Sequence, residues 1–191
     1  MTLRQLTLLN YKNIEEAELI FSPKINCLIG HNGEGKTNLL DAIHFLSFTK
    51  SAFNSIDSQI VRHEQAYMML KGVYESSGET EEISCALQVG KRKNFRRNGK
   101  EYKKFSEHIG LIPLIMISPS DSELIIGGSE NRRRFIDMTI SQFNPIYMSC
   151  LARYTKALQQ KNIMLKAEEE PNAEVISMYE EIMAKTGEYI F

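Results

Sequence analysis

Residues 30–37 read Gly-His-Asn-Gly-Glu-Gly-Lys-Thr, a complete G-x-x-x-x-G-K-[ST] pattern. It restricts the fold more than any other stretch of the 191 residues. A chance match is expected on the order of once in a hundred chains of this length, with Gly at ~7% of residues. The setting strengthens it. Ile25 to Ile29 leads in as an apolar run bounded by Gly30, which is how a buried strand reads. Lys36 to Ser47 leads out at helical spacing, with Leu39, Ile43 and Leu46 at i, i+4 and i+7. Gly30, Gly33 and Gly35 let backbone N–H groups turn toward an anion, and the helix start adds its positive dipole end. Lys36 offers a charge to the β- and γ-phosphates and Thr37 a hydroxyl to Mg²⁺. Gly30, His31, Asn32, Gly33, Glu34, Gly35, Lys36 and Thr37 are therefore the expected site for ATP and Mg²⁺, with Thr37 the metal ligand. The plain alternative is a Gly-rich turn with a surface lysine. Asp41, one turn beyond Thr37, reads as a solvated helix residue.

The loop alone does not hydrolyse ATP. A carboxylate for Mg²⁺ and a group that orients water are also needed. No run of four apolar residues ends in paired acids. The nearest, Leu114 to Ile117, is followed by Ser118-Pro119, and Asp121 comes after that run. The chain reads as half of an ATPase, with little hydrolysis expected of it alone.

Around the loop the first two thirds read as strands. Leu6 and Leu8 alternate with Gln5 and Thr7, and Ala17 to Phe21 is a second β-like run. Tyr67 to Glu75 and Glu82 to Val89 flank the turn Ser76-Ser77-Gly78. Phe95 to Arg97 and Lys100 to Tyr102 flank Asn98-Gly99, the strongest short hairpin signal. Ile112 to Ile117 is a further apolar run. The last third reads as helices: a short one opened by a Ser120/Glu123 capping box, then Glu130 to about Ile140 capped by Ser129. A long one follows Asn144-Pro145 and carries Tyr147, Leu151, Tyr154, Leu158 and Leu165 on one face. Glu168-Glu169-Glu170-Pro171 breaks the pattern, and Ala173 to Ile190 is the last helix. The narrow apolar stripe suits an arm or antiparallel pair. A boundary is expected near Gly127-Gly128, giving units 1–128 and 129–191.

Composition excludes several classes. Lys+Arg number 23 against 24 Asp+Glu, so any basic site is local. The longest apolar stretch, Ile109 to Ile117, is too short to span a bilayer, and the N-terminus shows no export signal, which leads to the expectation of a cytoplasmic protein without a membrane partner. Cys27, Cys85 and Cys150 are odd in number and far apart, which suits buried thiols in a reducing compartment. His31, His44, His63 and His108 form no metal pattern.

Several stretches together resemble a known family. They are Leu9-Asn10-Tyr11-Lys12-Asn13-Ile14, the loop with Leu39-Leu40-Asp41-Ala42-Ile43, and Ile117-Ser118-Pro119-Ser120-Asp121. Gly127-Gly128, Arg132 to Asp137, Lys156-Ala157-Leu158 and Gln160-Lys161-Asn162 continue the series in order. The chain resembles the RecF family, within the SMC and Rad50 group of ABC-type heads. The resemblance implies an α/β P-loop NTPase fold: the N-terminal lobe of an ABC-type head, with an antiparallel β layer and a helical arm. It implies that the Walker B acids and an LSxGQ-like signature belong to a C-terminal half. It also implies an ATP-dependent homodimeric clamp in recombinational repair, replication and the SOS response. Such a clamp acts on DNA at single-strand gaps or junctions with RecR and RecO. Lys12 and Asn13 match the family's Arg-Asn pair near the nucleotide, with Lys keeping the charge but not the planar fork. An Arg that follows the loop helix in the family is lacking here, which leaves Lys50 or Arg62 as substitutes. The place of the Q-loop Gln falls at Ser118, which leaves Ser118 or Asp121 to approach Mg²⁺.

Eight of the fourteen residues from Lys91 to Lys104 are basic, with Phe95 and Tyr102 interleaved. Lys91, Arg92, Lys93, Arg96, Arg97 and Lys100 are the candidate DNA contacts. The alternative is a solvated hairpin whose charges protect an edge strand. Arg132-Arg133-Arg134 at a helix start opposes the dipole and calls for acidic partners, Asp137 among them. Lys156, Lys161 and Lys166 read as solvated or paired with Glu168 to Glu170. Two other functions fit the loop, a small phosphotransferase and a non-catalytic interaction fragment.

Overall fold

The computed structural model describes residues 1–167 and 172–191. It divides into two units, Met1–Met116 and Ile117–Phe191, so the division falls ahead of Gly127-Gly128.

In the first unit six strands form one antiparallel sheet. They are β1 (Thr2–Tyr11), β2 (Ile14–Ile20), β3 (Tyr67–Ser76), β4 (Glu79–Gln88), β5 (Asn94–Arg97) and β6 (Lys100–Glu101), in the order β2-β1-β3-β4-β5-β6. The alternation in β1 sets the pattern: Leu6 and Leu8 are fully buried while Gln5 and Thr7 face the other side. Helix α1 (Lys36–Phe48) lies on the buried face, and its Phe45 packs between Tyr11 and Phe95. Gly72 permits that approach, because a Cβ there would stand 3.0 Å from Leu46 Cδ1. Both hairpin turns use left-handed residues, Ser77 (φ 53°) with Gly78 (φ 85°), and Asn98 (φ 49°) with Gly99 (φ 78°). β2 starts at Ile14 rather than Ala17, because Lys12 (φ 51°) turns the chain within Tyr11-Lys12-Asn13.

Two apolar runs depart from expectation. Ile25 to Ile29 forms no strand, and Ile25 and Ile29 are 81% and 93% exposed. Ile112 is buried, but Ile115 is 73% exposed and no strand forms there either. A strand needs a neighbouring strand to pair its N–H and C=O groups, and among the described residues neither run is paired into the sheet. Cys27, expected to be buried, shares this exposure, while Cys85 lies in the core with burial pushing its thiol up to about 12.

The second unit holds α2 (Glu123–Ile126), α3 (Ser129–Ser141), α4 (Pro145–Leu165) and α5 (Ala173–Ile190). Ser122, not Ser120, occupies the N-cap of α2, and Gly128, not Ser129, that of α3; neither makes a side-chain cap bond. Asn144 caps α4 by accepting from Tyr147 N, and Asn172 caps α5 by accepting from Glu174 N and Val175 N. α4 and α5 run antiparallel, held by Asn144 with Tyr189, Lys161 with Glu180, and Tyr154 edge-on to Phe191. Of the expected stripe, Tyr147 is buried, Leu151, Tyr154 and Leu158 are half-buried, and Leu165 is exposed. The break at Glu168 to Pro171, and any pairing of lysines with those acids, lie outside the described residues.

Candidate nucleotide site

The phosphate loop is fastened by the turn between β1 and β2. Asn13 Nδ2 donates to the Gly33 carbonyl at 2.8 Å, and its Oδ1 accepts from Asn38 Nδ2 at 2.7 Å. Gly33 (φ 88°) and Gly35 (φ 101°) are both left-handed, and a Cβ on Gly35 would meet Asn13 Oδ1 at 2.8 Å. Glycine at 35 thus serves both the curl of the loop and its contact with Asn13. α1 begins at Lys36 without a side-chain cap, which leaves first-turn N–H groups for an anion.

Within the loop Lys36 Nζ donates to the Gly30 and His31 carbonyls at 2.7 and 2.6 Å. Glu34 Oε2 accepts from His31 N at 2.9 Å. The loop thus holds one cation and one acid of its own, and with two of its three N–H donors on those carbonyls Lys36 keeps one for an incoming polyphosphate. The Thr37 hydroxyl has no partner among the described residues. A curl of N–H donors, a long-stemmed ammonium and a free hydroxyl fit a magnesium-bound triphosphate.

A cleft of about 890 Å³ is lined by Lys12, Asn13, Ser58, Gln59, Arg62 and His63 among others; no loop residue lines it, and Asn13 is the link between the two. Arg62, one suggested substitute for the family's arginine, lines this cleft with Nη1 on Glu15 Oε2 at 2.8 Å. Lys50, the other, is outside the lining, and its carbonyl meets His44 Nδ1 at 3.0 Å.

Asp41 overturns its sequence reading. It is fully buried, and its carboxylate takes Lys12 Nζ at 2.6 Å, Tyr11 Oη at 2.7 Å, Ser51 Oγ at 2.7 Å and Ala52 N at 2.7 Å. Burial alone would raise its pKa, but the donors from Lys12, Tyr11 and Ser51 outweigh that and hold it below the ordinary value. Burial and the adjacent carboxylate push the Tyr11 phenol far up, so it stays a donor. Sequence spacing missed this cluster because its members are distant along the chain. The one clue was Asp41 itself, on the face of α1 that continues from Thr37. His44 and His108 are buried and structural: His108 Nε2 contacts the Leu46 carbonyl at 2.6 Å, and burial lowers the pKa of both.

The basic hairpin separates into two sets. Lys93 is buried, donating to the Thr49 carbonyl at 2.6 Å and pairing with Asp57 at 2.8 Å, so it is no DNA contact. Arg97 is engaged with Glu81 through two hydrogen bonds. Lys91, Arg92, Arg96 and Lys100 are exposed. Lys91, Arg92 and Arg96 rim a groove of about 540 Å³ on the outer sheet face, floored by Tyr67, Met69 and Ala86, with no carboxylate in its lining. The register explains it: Tyr67↔Gln88, Met69↔Ala86↔Asn94 and Lys71↔Ser84↔Arg96 are successive cross-strand rows. Glu101 stands opposite Arg96 on β6 without an ion pair.

In the second unit Asp121 Oδ2 accepts from Ser118 N at 2.5 Å, so the two close their own turn. Arg132 donates to the Leu124 and Gly127 carbonyls rather than to Asp137, whose carboxylate takes the Tyr147 hydroxyl. Among the described residues none of Arg132, Arg133 and Arg134 pairs with an acid.

A family profile described as an AAA domain matches residues 5–188. Over its whole length the chain is 55% identical to the DNA replication and repair protein RecF of Phocaeicola vulgatus and 54% identical to that of Bacteroides fragilis, covering 52% of each. It is 47% identical over 91% of its length to the Porphyromonas gingivalis protein of the same name, covering 48% of it. Among solved structures it matches the recombination mediator protein RecF-ATP in the RecFOR pathway at TM-score 0.90 and 29% identity, over 99% of this chain and 52% of that one. A structure of an SMC ATPase matches at TM-score 0.60 and 20% identity, over 72% of this chain and 99% of that one, a likeness of fold alone. The chain spans about half the length of the curated relatives it matches.

Proposed function

Since the chain belongs to the AAA-domain family and matches RecF proteins along its whole length, we propose that it is the nucleotide-binding half of a RecF-like repair protein. It binds ATP with Mg²⁺ and, within the whole protein, DNA in recombinational repair and replication. The observation that carries this is the phosphate loop anchored by Asn13 at the edge of the 890 Å³ cleft. The triphosphate lies on loop residues 30–37, Thr37 ligates Mg²⁺, and the cleft beside Asn13 and Arg62 takes the nucleoside. The surface at Lys91, Arg92, Arg96 and Lys100 meets DNA phosphates, with Tyr67 as an exposed ring in the groove floor.

In this reading the chain contributes binding but little hydrolysis, since among the described residues no strand end carries paired acids beside the loop. The remaining half of a RecF-like protein supplies the acids and the signature motif. It also covers Ile25 and Ile29. Residues 1–128 then form the head's N-terminal part and 129–191 the start of its helical lobe. The whole protein works in the cytoplasm as an ATP-dependent homodimer at gaps or junctions, with RecO and RecR and in SOS induction.

Titration calorimetry with magnesium-ATP tests the reading. Saturable heat that disappears in Lys36→Ala is expected. Absence of binding even in the full-length protein would refute it.

A further inference from the structure

Asp41 receives more donors than any other carboxylate among the described side chains, yet it lies one helical turn from the phosphate loop rather than deep in the sheet. Its Oδ2 takes three of them: the Lys12 ammonium, the Tyr11 hydroxyl and the Ser51 hydroxyl. Oδ1 takes Ala52 N. A carboxylate so saturated has one orientation.

What it holds matters more than how it is held. Lys12 spends one of three N–H donors on Asp41, and no second acceptor for it exists among the described residues. The ammonium stands 5.4 Å from the Phe53 ring centre and 5.9 Å from that of Tyr11, so its side chain is confined between two aromatic walls. Its side chain keeps 11% exposure, and residue 12 lines the 890 Å³ cleft. The next residue, Asn13, is bonded to Gly33 of the loop. An ion pair built only for stability needs neither the spare donors nor the opening to the cleft.

We propose that Asp41 is a positioning residue for nucleotide binding: it aims the Lys12 ammonium at the polyphosphate of a ligand seated on loop 30–37. Through Ser51 and Ala52 the same carboxylate fixes the turn that carries Phe53, the ammonium's second wall. The inference rests on the loop being a nucleotide cradle, and its test separates the two.

The test is a double-mutant cycle in the full-length protein, read by calorimetric magnesium-ATP affinity. Asp41→Asn and Lys12→Met are each expected to weaken affinity about tenfold, the scale of one hydrogen bond to a charged group. The double variant is expected to be no weaker than Lys12→Met alone. Lys12→Arg should retain affinity while Asp41 is present and lose it when combined with Asp41→Asn. A purely structural Asp41 would shift thermal stability and leave affinity in Lys12→Arg indifferent to the second change. Effects that multiply, or an Asp41→Asn protein with native affinity, would overturn the proposal. Should Asp41→Asn fail to fold, Ser51→Ala loosens the carboxylate without unpairing a buried charge. It should weaken affinity two- to threefold, roughly one neutral hydrogen bond, and do nothing in the Lys12→Met background. Equal effects of Ser51→Ala in both backgrounds would also overturn it. Lys36→Ala is the control for the cradle: if it too leaves ATP affinity unchanged, the reading of the loop fails first.

Discussion

The two units place their polar groups differently. In the first, several charged and polar side chains lie inside and are committed: Asp41 to four donors, Lys93 to Thr49 and Asp57, His108 to Leu46 and Tyr102. In the second, polar pairs sit at the surface, as Lys161–Glu180 and Lys185–Glu181 do, and among the described residues only Tyr147, Ala157 and Thr186 are buried. A buried polar group specifies geometry because leaving it unpaired costs ~1–3 kcal/mol, whereas an exposed pair is exchangeable with water. The candidate site sits on the unit that has made such commitments.

Core truncation should widen that contrast most. Phe45→Ala removes a fully buried ring between Tyr11 and Phe95 and should cost about 3–5 kcal/mol in urea unfolding. Leu158→Ala, half-buried in α4, should cost about 1 kcal/mol or less, and equal losses would break the comparison. Lysine replacement is the next test. Lys93→Met strips a buried carbonyl and Asp57 of their partner and should cost ~1–3 kcal/mol. Lys161→Ala should stay within ~0.5 kcal/mol.

Acid should act on the first unit before the second. His44 and His108 have folded values held below the ordinary 6.5, so the unfolded chain binds protons first as pH falls. Stability present above pH 6.5 is therefore lost as pH drops through the window below it. Asp41, held below 3.8, adds a second loss under that value. Urea midpoints of the first unit that stay flat from about pH 7.5 to about pH 5.5 would contradict the neutral burial of both rings.

The smallest change concerns Tyr74, whose buried hydroxyl has no partner among the described residues. Tyr74→Phe should be neutral or stabilise by up to ~1 kcal/mol, unlike removal of any committed group. A separate readout is nucleotide affinity in Glu34→Gln. Removing the acid that accepts from His31 N should tighten magnesium-ATP binding severalfold, and weaker binding would mean that the carboxylate supports the loop instead.

Much of this was legible in the residues. The phosphate loop, the alternation of β1, the Asn98-Gly99 hairpin and the bounds of α5 all follow from local chemistry. What failed was whatever depends on distant partners. Ile25 to Ile29 has the composition of a buried strand, but burial needs a neighbouring strand, and composition does not supply one. Asp41 reads as solvated because its four donors come from residues 11, 12, 51 and 52. Charge density likewise misjudges Lys93 and Arg97: it counts cations but not the carboxylates the fold sets beside them.

The chain around Tyr11 carries one further consequence. Asn10 and Lys12 are both left-handed, with φ of 53° and 51°. In an ordinary strand, neighbouring side chains leave on opposite sides. Here two consecutive side chains, a phenol and an ammonium, converge on one oxygen of Asp41. Each such residue costs of order 1 kcal/mol in backbone energy, and glycine in place of Lys12 would relieve it. That less strained backbone would carry no ammonium and would leave the buried Asp41 carboxylate without its cation, so the left-handed turn at residue 12 is the local cost of placing that ion pair.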